Sequence, residues 1–235
     1  MKQRLLAVSM LALLALAVGC ASAGDGGSAG LALGGAPWQD GDKLTYDWLD
    51  KSGNKSGTAE VSLVKDGGAW VISWVDKLGT VDQQAKVRID AQTLKPLGAE
   101  KIIKAQGTDA KVDTTYQGGK LDIKAVVNGE NKSASIDVPA NAIDNDQLLM
   151  TLRALQFADG YEGKCVVVVG QSAAKVDTTV RVKGKESVTV PAGSYDAWKV
   201  ELDFGQAKQY AWYQTDAAHN LVQYDNGTTK AVLSK

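Results

Sequence analysis

The sequence predicts a predominantly antiparallel β domain behind an N-terminal export signal. Three observations carry this. Apolar residues recur at every second position through most of the chain from residue 42 onward, short Gly- and Asn-containing turn signals separate these runs, and only one segment shows helical spacing instead. Period-two alternation gives each strand one face that seeks a core and one that tolerates water.

Residues 1–19 have the layout of a signal peptide: Lys2 and Arg4 supply positive charge, and Leu5 to Val18 form an apolar run broken only by Ser9. That run is shorter than the roughly 20 residues needed to span a bilayer, so it reads as cleaved rather than as a permanent span. Two processing sites follow it. Ala17-Val18-Gly19-Cys20 is similar to a bacterial lipobox, with Ala at the position usually held by Leu, and would leave Cys20 acylated at the new N-terminus. Ala21-Ser22-Ala23 is a small-x-small site that would release a soluble chain starting at Gly24. A cysteine closing an apolar run favours the first, with lipidation at Cys20. Residues 20–36 hold six of the 25 glycines and read as a Gly/Ala/Ser-rich tether. Residues 37–235 then form a single β domain, a length suited to one substantial core.

Within the domain, Trp70, Ile72 and Trp74 share one face of a strand. Val81, Ala85, Val87 and Ile89 oppose Asp82, Gln84, Lys86 and Arg88, and Leu121, Ile123, Ala125 and Val127 alternate with Asp122 and Lys124. Val176, Val180 and Val182 oppose Asp177, Thr179 and Arg181, while Trp198, Val200, Leu202 and Phe204 oppose Lys199, Glu201 and Asp203. Turn signals at Lys51–Gly57, Asp66–Gly68, Gly118-Gly119, Asn128-Gly129, Gly205-Gln206 and Asp225–Gly227 divide the chain into about 12–14 strands. The exception is the segment 144–157. Leu148, Leu149, Leu152, Leu155 and Phe157 fall at helical spacing, Asp144 and Gln147 form a plausible capping pair, and Gly160 follows, so one helix is expected over about 145–157.

Charge and cysteine usage exclude several classes. Loss of residues 1–19 removes Lys2 and Arg4 and no acid, so 24 of the 26 basic side chains remain against 27 acidic ones, a net charge of about −3. Without a basic stripe or an aromatic-interleaved Lys/Arg cluster, neither nucleic acid nor electrostatic membrane binding is expected. With Cys20 acylated, Cys165 has no disulfide partner. It opens the run Cys165-Val-Val-Val-Val169 and is expected to be a small buried hydrophobe.

Catalytic and metal templates fail in turn. The single histidine, His219, lies in a turn-like stretch with no orienting partner nearby in sequence, which argues against a Ser-His-Asp triad and excludes a His-rich metal site. The Ser-x-x-Lys matches at Ser52–Lys55 and Ser172–Lys175 fall in turns, whereas penicillin-recognising enzymes place that serine on a helix. Asp144-Asn145-Asp146 lacks the Gly and distal Glu of a calcium loop, and helix capping accounts for it more simply. No Gly-rich phosphate loop and no Cys-x-x-Cys pair is present, so no cofactor is expected and the chain does not read as an enzyme.

The stretch Glu186-Ser-Val-Thr-Val-Pro-Ala-Gly-Ser-Tyr-Asp-Ala-Trp-Lys-Val200 resembles a recurrent element of an uncharacterised bacterial exported family, domain of unknown function 3108. Asp146 to Gly160 is similar to that family's short helix and turn, and Ala211-Trp212-Tyr213 with Leu221–Asp225 to its closing strands. The resemblance is strongest over residues 140–230. It implies a curved antiparallel sheet or half-barrel with a helix lying against it, similar to periplasmic lipoprotein carriers, and it brings no catalytic residues.

The expected protein is therefore a cell-envelope lipoprotein facing outside the cytoplasm, held to a membrane by its lipid. Three activities compete. One is binding of an apolar or amphipathic ligand on the concave face of the sheet. Another is a structural or assembly role through protein contacts, and the third, less favoured, is hydrolysis of an envelope polymer. For the first, Trp70, Trp74, Leu148, Leu152, Trp198 and Trp212 are the candidate ligand-binding residues, with the helix forming one wall of the pocket. One register is also predicted. A two-residue turn at Gly205-Gln206 pairs Asp203 with Lys208, Glu201 with Tyr210, Lys199 with Trp212 and Trp198 with Tyr213.

Overall fold

Residues 30–235 are described by the structure, a computed structural model, so the signal, Cys20 and the first part of the expected tether lie outside the described residues. The strands expected from alternation form one sheet of 15. The first arm comprises β1 (Asp42–Leu49), β2 (Lys55–Asp66), β3 (Ala69–Leu78), β4 (Val81–Asp90), β5 (Pro96–Ala105), β6 (Thr108–Gln117), β7 (Lys120–Val127) and β8 (Glu130–Asp137). The second comprises β9 (Ala142–Asp144), β10 (Glu162–Val169), β11 (Ala174–Val190), β12 (Gly193–Asp203), β13 (Lys208–Gln214), β14 (Leu221–Asp225) and β15 (Lys230–Leu233).

Apart from β9, both arms are antiparallel meanders, and they join where β15 pairs with β1, so that β8 and β9 are the two ends of the sheet. One pair alone is parallel, β9 with β10. Parallel neighbours cannot be joined by a tight turn and need a crossover of a dozen residues or more. Residues 145–161 are that crossover, and they contain the helical exception. The predicted register of β12 on β13 is the observed one, Asp203 opposite Lys208 through Trp198 opposite Tyr213. Gly205, at φ +83°, takes the left-handed position the turn requires.

The expected helix is shorter than its pattern. Only Leu148–Thr151 is α-helical (α1), followed by a 3-10 turn at Leu152–Ala154. The capping pair does not form. Asp144 ends β9 and accepts from the Asp146 amide and the Tyr116 hydroxyl, while Gln147 Nε2 donates to the Leu94 carbonyl and Thr151 Oγ1. Leu155 turns extended, at φ −62° and ψ 138°, to bridge to Leu33. The tether also ends earlier than expected. Gly34 N donates to the Ala154 carbonyl at 2.7 Å and Gln156 N to the Ala32 carbonyl at 2.9 Å, so the chain is docked from about residue 31.

The curved sheet wraps its concave side around these two docked segments. Trp48, Tyr46, Leu63, Ile72, Met150, Leu152, Leu202 and Tyr213 are among its fully buried side chains. The sheet does not close edge to edge. Instead it rolls past itself, so that Val112, Leu121 and Ile123 of β6 and β7 pack on Ala142 and Val168 of β9 and β10 in a second, smaller core. Strand β10 is thereby covered on both faces, with Cys165 and Val167 in the main core and Val166 and Val168 against the overlap. This explains the unbroken Cys-Val-Val-Val-Val run, since a strand buried on both faces has no polar side to alternate with.

Candidate functional site

All six proposed ligand-binding residues fall in one apolar cluster, Trp212 from the other face of the sheet. Trp70, Trp74, Leu148, Leu152 and Trp198 all belong to the main core, and their neighbours occupy the space between them. Trp70 meets Trp38 edge to face at 5.5 Å, Trp74 stacks on Tyr46 at 6.2 Å, and Trp198 lies between Phe157 at 6.0 Å and the Lys185 ammonium at 4.3 Å. Trp212 is buried too and belongs to the same cluster, but by register it projects from the opposite face to Trp198. It pairs with Lys199, the alternate of Trp198, and its Nε1 donates to Glu186 at 2.6 Å. The pocket expected on the concave face is occupied by α1, the 3-10 turn and the docked N-terminal segment. The larger clefts lie outside, including an open one of about 760 Å³ between the 49–53 turn and the β11–β12 hairpin tip at Thr189–Pro191.

Two buried polar groupings were not singled out from the sequence. The first surrounds Arg153, which is 1% exposed. Its Nε and Nη2 donate to the Ala218 carbonyl and Nη2 also to Asn220 Oδ1, while Asp42 is 3.9 Å away. Burial lowers its pKa from the ordinary arginine value. His219 is held here, Nδ1 2.9 Å from the Arg153 carbonyl oxygen and its ring against Phe157 at 4.7 Å. This histidine orients no nucleophile.

The second grouping lies where the roll overlaps, between β5 and the 144–146 corner. Lys101 Nζ bonds Asp146 Oδ1 at 2.9 Å, with both side chains largely buried. Tyr116 donates to Asp144 Oδ2 at 2.8 Å. Asp76 accepts from Trp48 Nε1 at 3.1 Å. Burial, more than any neighbouring charge, raises Asp76 to about 6 and Asp144 to about 7, and the Asp146 charge adds to both shifts. A cavity of about 20 Å³, the size of one water molecule, separates Lys101, Asp144 and Asp146 from Thr114 and Gly170. A Cβ at Gly170 would meet the Thr114 methyl at 2.7 Å, so a larger residue there requires the Thr114 side chain to move.

A sequence signal for this seam existed. Asp76 continues the inward series Trp70, Ile72, Trp74, which is an unusual place for a carboxylate. Lys101 is likewise inward in a strand with little alternation. Asp144 and Asp146 do not cap the helix; they bond to Tyr116 and Lys101. Among the described residues no group of three or more His, Cys, Asp or Glu is placed to hold a metal, and no helix is long and apolar enough to cross a membrane. The Cys165 thiol is buried and pushed up to about 12, so it stays protonated and unreactive.

Comparison with known proteins gives a family and a fold. The family described as Protein of unknown function (DUF3108) matches residues 43–233. No curated protein matches. Among solved structures, the β-barrel-like protein of domain of unknown function DUF1849 from Brucella abortus has a TM-score of 0.55 at 13% identity, covering 82% of this chain and 95% of its own. A protein from Parabacteroides distasonis described as a lipoprotein gives 0.32 at 13% identity, covering 88% and 98%. A YmcC-like fold from Bacteroides fragilis gives 0.29 at 10%, also covering 88% and 98%. The first likeness supports the barrel-like fold alone; the other two carry no argument.

Proposed function

Because the chain belongs to the family Protein of unknown function (DUF3108), we propose that it is an exported envelope protein, acylated at Cys20, that acts by binding through its outer surface. The observation that carries the binding surface is the filled concave side. With Trp48, Leu152 and Leu202 fully buried there, a partner meets the convex face and the loops. A binding rather than catalytic role is supported by the residues that could have done chemistry. His219 is committed to the Arg153 carbonyl and Phe157, and Cys165 is an inert buried thiol.

Lipidation rests on the apolar run ending at Ala17-Val18-Gly19-Cys20, and the membrane partner is that lipid. Intact-mass analysis of the membrane fraction is expected to give a diacylated or triacylated chain starting at Cys20, and Cys20→Ser is expected to abolish the modification. A soluble chain starting at Gly24 would contradict it.

A second reading, an apolar or amphipathic ligand inside the sheet, is favoured by one feature: the sheet is rolled and not closed, so its interior is reachable without breaking a backbone ladder. Saturable binding of a lipophilic fluorescent probe, abolished by Leu152→Trp in a folded chain, would select this reading over the first.

A further inference from the structure

We propose that β6–β8 form a movable cover over β9 and β10, latched at the β5/β9 seam by a cluster in which a single ammonium, Lys101, faces the three carboxylates Asp76, Asp144 and Asp146. The cover closes as the cluster takes up protons and loosens as it loses them.

The topology makes such a joint. Every other neighbour in the sheet is joined by a backbone ladder, whereas the two ends of the roll, linked along the chain by residues 138–141, pack on each other through side chains. The cover's apolar contact is small, and β8 buries no side chain fully. The seam is therefore the least cooperative boundary in the domain, the kind of place where local opening precedes global unfolding.

The charges make the joint sensitive to protons. From β3 comes Asp76, from β5 Lys101, from β6 Tyr116, and from the corner after β9 Asp144 and Asp146; Lys175 of β11 reaches the cover further along, at the Asp137 carbonyl. Fully ionised, the three carboxylates exceed the one ammonium by two charges in a site with little water. Holding protons on Asp76 and Asp144 removes that excess. Their folded values, about 6 and about 7, lie above the ordinary aspartate value of 3.8. The stabilisation of the closed seam is thus complete below about pH 4 and lost as pH rises through 6 to 7. Opening uncovers the apolar strip Ala142, Val166 and Val168 on the convex side of β9 and β10.

Thr114 and Gly170 provide a lock. The Thr114 Cβ lies 4.0 Å from where a Cβ on Gly170 would sit, inside the range a disulfide spans. Hydrogen exchange of the chain, corrected for intrinsic rates, is compared at pH 5 and pH 8. Amides of 108–137 are expected to lose about tenfold in protection at pH 8, while those of β1–β4 change little. The oxidised Thr114→Cys/Gly170→Cys chain should lose this pH dependence and regain it on reduction, and Asp144→Asn should stay protected at pH 8. Equal protection at both pH values, an equal loss in all strands, or a loss that persists in the oxidised lock would overturn the proposal. Should Asp144→Asn fail to fold, the unsubstituted chain and the lock decide it.

Discussion

The wall around the filled interior and the cover over its outside are built from the same kind of alternating strand, yet they are held very differently. In the wall, β1–β4 and β12–β15 have a neighbour on each edge and aromatic side chains such as Tyr46, Trp48 and Tyr213 fully buried behind them. In the cover, β8 is a free edge with every side chain exposed or nearly so, and the apolar face of β6 and β7 rests on a few valine and alanine side chains. Alternation thus specifies that a face will be buried. It does not specify by what, or how firmly.

The largest expected effect breaks the wall. Trp48→Ala removes a fully buried indole and the donor to Asp76, so a loss of about 3–5 kcal/mol is expected, read as a lower midpoint of chemical denaturation for the whole domain. Lys101→Met strikes the seam instead. Without the ammonium, Asp146 is left unpaired in a site largely closed to water, and a loss of about 3 kcal/mol is expected at pH 8. The loss should be smaller at pH 5, where Asp76 and Asp144 hold protons. Ile123→Ala thins the cover alone. About 2–3 kcal/mol is expected, appearing as faster amide exchange in 108–137 and not as a matching change in β1–β4.

What the sequence made legible follows the same division. The β12–β13 register was readable because two local signals agreed, a Gly-x turn and a strict alternation from Trp198 to Phe204. Cys165 was readable as a buried thiol because its neighbours are valines. The helix was overextended because Leu148, Leu152, Leu155 and Phe157 also fit a segment buried on all sides, whose form is set by the space it fills and by pairing with Leu33. Trp212 was grouped with Trp198 because both are large aromatics, although the predicted register already set them on opposite faces. The seam was readable only as the inward carboxylate Asp76, not as a meeting of charges. It joins residues 76, 101, 116, 144 and 146 through the curvature of the whole sheet, and no local pattern encodes that.

The smallest expected effect lies on the convex face, at a partly exposed lysine over the buried Trp212. Lys199, about a third exposed, is 5.2 Å from the Trp212 ring and 3.4 Å from Glu186, so Lys199→Ala should cost about 0.5–1 kcal/mol by denaturation and leave exchange of the cover unchanged.

The central claim is that one sheet rolls past itself, bringing β7 onto β10. Along the sheet these strands are twelve neighbours apart, about 55–60 Å at the spacing of paired strands. In the roll, Leu121, Ile123 and Val168 share one small core. Methyl-labelled NMR tests this directly: nuclear Overhauser contacts from the Leu121 or Ile123 methyls to those of Val168 are expected. Their absence in a chain that keeps its β7–β8 and β10–β11 ladder contacts would show that β7 does not pack on β10 and contradict the account.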